Sequence, residues 1–150
     1  MMYNSGAKNK NHGHAKDSRQ ELELKDLKSG LHHFDQYLNL ESDTAKPVLD
    51  EIITEIEINL VKKYASSISA SQLRNIFHKI KSIDDPTDLK LLRPNLAYMA
   101  ARQQDKNKSK TSIMLFDEMI KKVNDKNTLA GFQRFMEIVV AYHKYYSQEK

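Results

Sequence analysis

The stretch TLAGFQRFMEIVVAYHKYY, residues 128–146, decides the fold. Phe132, Phe135, Met136, Val139, Val140, His143 and Tyr146 recur at intervals of three and four, the period of one face of an α-helix. Ile138, Ala141, Tyr142 and Tyr145 spread the apolar surface around most of the rod, and only Arg134, Glu137 and Lys144 carry charge along it. A helix so widely apolar needs neighbours on several sides, which places it at the centre of a helical bundle. At ~1.5 Å per residue it spans about 28 Å, enough to cross a small domain. Thr128 is the expected N-cap, its hydroxyl accepting from a first-turn amide.

Working back from this helix, Asp125 to Asn127 reads as a turn. Before it, Ile113, Phe116, Ile120 and Val123 form the buried face of a helix capped by Thr111 or Ser112, and Gln104 to Lys110 reads as a basic loop. Asp88 to Gln103 is helical, with either a kink or a fresh start at Pro94, which lacks the amide proton a continuing helix uses. Asp85 and Pro86 are an N-cap and first helical residue. Ser69 and Gln72 form an S-x-x-Q capping signature ahead of Leu73, Ile76, Phe77, Ile80 and Ile83. Lys46 to Tyr64 is a helix with Leu49, Ile52, Ile53, Ile56, Leu60 and Tyr64 on one face, and Glu41 to Thr44 is an acidic linker. Arg19 to Leu40 reads as one amphipathic helix weakened by Gly30, a segment expected to fold against a partner or another copy. The expected organisation is a disordered polar tail (1–18), a helical extension and linker (19–45) and a helical domain (46–148). The fold class is all-α, a compact bundle of about five helices plus the N-terminal one.

No run approaches the length of a membrane span, and the N-terminus has no apolar signal core. With no cysteine there is no disulfide or thiolate metal site. A cytoplasmic location is expected. The net charge of +4 is unevenly divided. Residues 1–62 hold 8 basic and 11 acidic side chains, 8 − 11 = −3, and residues 63–150 hold 16 and 9, 16 − 9 = +7. A basic C-terminal half suits a polyanion held by salt-sensitive contacts, unless it is only a solvated lysine-rich surface.

No glycine-rich phosphate loop, clustered metal ligands or nucleophile–base spacing marks an enzyme, so neither catalytic residues nor a cofactor or metal is expected. His12 and His14 flank Gly13, and His32 and Asp35 share a helix face, but no ligand set is complete. Arg74 and His78 share a face as in the Arg-to-His motif of HEPN-type ribonucleases, with fewer intervening residues than that motif has. Arg93, Arg102, Lys106, Lys108 and Lys110 gather around one loop, and Arg74, Lys79, Lys121, Lys122, Arg134 and Lys144 add charge on helices. Such side chains track a phosphate backbone without reading bases, and Tyr98, Tyr142, Tyr145 and Tyr146 offer stacking surfaces, although Tyr142 reads as core. Arg74 and Arg102 have a second reading, as ion pairs locking helices together.

Four segments, SASQLRN (69–75), LRPNLAYMAARQ (92–103), LFDEMIKKV (115–123) and FMEIVVAYHKYY (135–146), follow one another in the order of a known family. Over about residues 66–147 the chain resembles the small subunit of the type III-A CRISPR effector, the Csm complex. The resemblance implies a helical, non-catalytic subunit active in antiviral RNA interference. Several copies would stack head to tail beside the backbone subunits that carry the guide RNA, below a large polymerase-like subunit. Target cleavage would belong to the backbone subunit and cyclic oligoadenylate synthesis to the large one. Arg74, Arg102 and Lys144 fall on the family's basic positions. The expected contacts to the target strand of a guide–target RNA duplex are Arg74, Lys79, Arg102 and Lys144, then Lys106, Lys108, Lys121 and Lys122. The competing reading is a helical adaptor that binds only protein.

Overall fold

The computed structural model describes residues 19–103 and 107–147, and every regular element among them is helical. The expectations for residues 1–18, His12 and His14 among them, and for Lys106 lie outside the described residues. Helix α1 covers residues 19–29. α2 begins at Leu49–Thr54 and continues as a π-helix over Glu55–Ala65. α3 is Ala70–Lys81, α4 the short Pro86–Leu89, α5 Arg93–Ala101, α6 Lys108–Lys122 and α7 Lys126–Ser147. The all-α class read from the periodicity is the observed one.

α7 supplies the middle of the core. Leu129, Phe132, Phe135, Met136, Val139 and His143 are buried, and the Phe135 ring meets Phe116 of α6, Phe132 and Tyr37 at centroid distances of 6.0, 6.2 and 5.7 Å. Its wrapping is less complete than the apolar count implied. Ala141 and Tyr145 are exposed, and Ile138, Val140 and Tyr142 are half-buried. α3, α6 and the π-helix cover one broad side and leave a strip with Arg134, Glu137 and Lys144 open.

Four local expectations change. α7 starts at Lys126, so Asp125 rather than Thr128 is the cap. The Asp125 carboxylate accepts from the Thr128 amide at 2.8 Å, while the Thr128 hydroxyl accepts from the Asp125 amide at 3.1 Å. This is a reciprocal capping box one turn ahead of the expected cap. That pairing holds the Asp125 carboxyl below its usual pKa, the Thr128 amide being the main cause. α6 starts at Lys108, which converts the end of the expected basic loop into helix. α1 stops before Gly30, and the chain turns through 3-10 geometry at Phe34–Gln36. The segment 19–45 folds against this chain's own core: Leu27, Leu31, Tyr37, Leu40 and Ala45 are all buried in it.

The fourth change concerns α2. Widening the turn to i→i+5 places residues five apart on one face. Glu55, Leu60 and Ala65, with Ile56 and Val61, are therefore buried together, although an α-helical reading puts Glu55, Val61 and Ala65 off the core face. At Pro94 the fresh start is the alternative realised: a 3-10 turn at Lys90–Leu92 precedes α5. Ser69 caps α3 as expected, accepting from the Gln72 amide, but the Gln72 side chain turns away to Gln103.

Candidate nucleic-acid interface

Three contacts fix the direction of α1 against α2. Tyr64 Oη donates to Asp26 at 3.4 Å, Asn59 Nδ2 to the Gly30 carbonyl at 2.7 Å, and the His33 ring meets Glu55 at 2.6 Å. Residue numbers rise on one strand of this ladder as they fall on the other, so the segments are antiparallel and Arg19 lies toward the far end of the π-helix. α3 and α7 are also antiparallel: His143 Nε2 bonds the Ile68 carbonyl at 2.8 Å, while Gln133 Nε2 donates to the Ile80 and Ile83 carbonyls at 3.0 and 2.9 Å. Gln103 Nε2 donates to Gln72 Oε1 at 3.0 Å and ties the end of α5 to the start of α3. One end of the bundle thus collects the starts of α1, α3 and α6 and the ends of α2, α5 and α7.

That end carries Arg74, Arg102, Lys108 and Lys144, all exposed. Arg74 and Lys144 have no ion-pair partner among the described residues. Arg102 donates to Tyr98 Oη at 3.1 Å and lies 5.4 Å from its ring centroid, and among the described residues neither Arg74 nor Arg102 forms the helix-locking ion pair of its second reading. Lys62 reaches over the Tyr146 ring. Glu57, the nearby carboxylate, accepts from Tyr146 Oη at 2.6 Å, and that bond is the main cause pushing the Tyr146 phenol up to about 12. Tyr98 and Tyr145 are 65% and 72% exposed, large rings touched by Arg102 and by the Tyr146 ring respectively.

The remaining candidates lie elsewhere. Lys79 is exposed on the outer face of α3, about 7.5 Å along the axis from Arg74. Lys121 and Lys122 lie at the opposite end of the bundle, where they face Asp117 at 4.0 Å and Glu118 at 3.7 Å. Lys122 also sits over the Phe34 ring, which Lys28 covers as well. Lys110, a member of the basic loop cluster but not one of the expected RNA contacts, is brought onto the first turn of α6 beside α5. Asn107, a residue type favoured at N-caps, was the signal for that earlier helix start. Arg74 and His78 do share an exposed face, and the His78 ring lies against Phe77 without a polar side-chain partner among the described residues.

Chemically, the surface offers fixed cations at helix ends beside exposed aromatic rings, with the Glu57 carboxylate engaged by Tyr146. Such an array fits a polyanion, its affinity carried by phosphate contacts and sensitive to salt. Among the described residues no group of His, Asp and Glu side chains comes together as a metal site, and no helix is long and apolar enough to cross a membrane. A family model described as Csm2 Type III-A matches residues 47–149 of the chain. No curated protein and no solved structure matches it.

Proposed function

The chain belongs to the Csm2 family, the small subunit of the type III-A CRISPR Csm complex, and from that premise we propose that it is a cytoplasmic, non-catalytic, RNA-binding subunit. In this reading several copies stack head to tail beside the guide-RNA filament, next to the backbone and large polymerase-like subunits, and touch the target strand along its phosphates. The observation that supports it most is the gathering of Arg74, Arg102, Lys108 and Lys144 at one end of the bundle, on or beside four different helices. Rigid mounting keeps the cations at fixed separations, as a regular phosphate repeat requires. The acidic face around Asp50 and Glu51 supplies the complementary surface for a neighbouring copy.

The test is RNA binding by the full chain and by the complex reconstituted with its companion subunits. Arg74→Ala, Arg102→Ala and Lys144→Ala should each weaken binding by similar factors for every RNA sequence and lower the salt slope by about one unit. Losses that depend on sequence would argue against backbone contact. Assembly of the complex with no RNA contact from this subunit would transfer the function to the protein-only adaptor.

A further inference from the structure

Beside the basic end runs a groove of about 780 Å³ between α5 and α6. Its floor is apolar and made of small or flexible side chains: Leu24 of α1, Pro94, Ala97 and Ala101 of α5, and Met114 of α6. The volume is within the range of pockets that hold small organic groups, ~300–1000 Å³. Two carboxylates line it, and both are already neutralised. Arg93 clasps Asp117 through Nε at 2.9 Å and Nη2 at 3.3 Å. Lys28 and Lys122 hold Glu118 at 2.5 and 3.7 Å. Lys90, also on the lining, is engaged with three carbonyls at the end of α6. Lys110 remains on the rim with no ion pair among the described residues.

Tyr98 is outside the lining and neighbours two of its residues, Pro94 and Ala101, along α5. It is about 60° around α5 from Ala101, its ring is 65% exposed, and Arg102 is stacked against it. An apolar trough with Lys110 on its lining thus runs next to an exposed aromatic ring that carries Arg102 against it. We propose that this groove takes an unpaired nucleotide of RNA, its base stacked on Tyr98 above the apolar floor and its phosphates met by Arg102 and Lys110. The inference rests on the RNA reading above and adds to it a preference for single-stranded segments or splayed bases. An apolar trough contributes nothing to holding phosphates, but it does shelter a base from water. A stacked base adds affinity with little regard to its identity. An acidic amphipathic helix is the rival occupant, but it would have to supply both counter-charges itself, whereas every nucleotide carries a ring and a phosphate together.

The full chain is titrated against a labelled oligouridylate of about ten nucleotides and against an abasic oligomer of the same backbone, with affinity followed by fluorescence anisotropy. The wild-type chain is expected to bind the intact strand about tenfold more tightly than the abasic one. Tyr98→Ala should remove that difference by weakening the intact strand alone, and Tyr98→Phe should preserve it. Lys110→Gln should weaken both strands equally. Equal binding of intact and abasic strands by the wild type would overturn the proposal and leave the phosphate reading standing. Binding to neither strand would remove both. If Tyr98→Ala abolished assembly with the companion subunits while the tenfold preference survived, the groove would belong to a protein helix instead.

Discussion

Three donors converge on Glu55: the His33 amide at 3.1 Å, the His33 ring at 2.6 Å and the Tyr37 hydroxyl at 2.8 Å. Tyr37 is fully buried, so Glu55→Ala would leave its hydroxyl without an acceptor, a loss of about 1–3 kcal/mol. A urea titration measures it. His33 holds its proton to a higher pH than a free imidazole, chiefly through the bond to Glu55. Because the folded state favours the protonated ring, this contribution is complete below a pH of about 6.5 and is lost as pH rises through the raised value. Hydrogen exchange over residues 19–45, after division by the intrinsic rate at each pH, should accordingly lose protection as pH rises from about 6.5 through the raised value, and His33→Gln should flatten that dependence. At Gly131 the two relevant effects oppose each other. Alanine gains about 1 kcal/mol in helix propensity, but its Cβ would overlap the Leu38 carbonyl, a backbone atom that cannot step aside. Overpacking of this kind costs about 1–3 kcal/mol, so Gly131→Ala should destabilise, and a stabilised variant would show that the loop over α7 yields. Neither Glu55 nor Gly131 was legible beforehand. A buried acid and a helix-interior glycine look like faults in a sequence until the segment that covers them is seen.

Helix ends tell a similar story on a larger scale. The Lys90 ammonium donates to the Ile120, Lys121 and Val123 carbonyls at 3.1, 3.3 and 3.1 Å, using all three protons to close the C-terminus of α6. Carbonyls of a last turn lack the amide four residues on, that of Ile120 being met also by the Val123 amide at 3.1 Å, and a cation there also opposes the negative end of the dipole. Lys90→Met keeps the stem and removes the donors. It should cost about 1–2 kcal/mol and speed amide exchange at the end of α6, with α3 unaffected. Nothing near Lys90 in sequence marks it for this task, since its partners are some thirty residues away. What could be read was local. The three-and-four spacing found α3, α6 and α7, and Ser69, Asp85 and Pro86 fixed two helix starts. The π-helix could not be read, because the helical wheel used to find a buried face assumes the α period. Its second half, Leu60 to Ala65, therefore turned a different set of side chains inward. In the candidate interface Arg74, Arg102, Lys108 and Lys144 were each visible as basic residues. That they share one end, while Lys121 and Lys122 sit at the other, depended on helix directions set by long-range contacts.

For the molecule as a whole, the family match begins at residue 47 but the core does not. Leu27, Leu31, Tyr37 and Leu40 close over residues of the matched region, with Tyr37 against Phe135. A chain shortened to residues 46–150 should therefore lose cooperative unfolding and expose apolar surface, as reported by a dye that binds such surface. A sharp, native-like transition in the shortened chain would show that 19–45 is an ornament. The same view guides any test of copy-to-copy contact. Glu55 is buried and Glu57 holds Tyr146, so reversing them would damage the fold rather than an interface. Asp50→Lys and Glu51→Lys are exposed and are the informative pair. They should reduce self-association in sedimentation measurements while leaving the melting temperature almost unchanged. The antiparallel ladder between α1 and α2 has one practical consequence for experimenters. Because residue 19 and residue 147 both lie at the end that bears Arg74 and Arg102, a fluorophore attached at either of these two positions crowds the very surface under study. A reporter inserted at the Asn124–Asp125 corner, at the opposite end, leaves that surface clear.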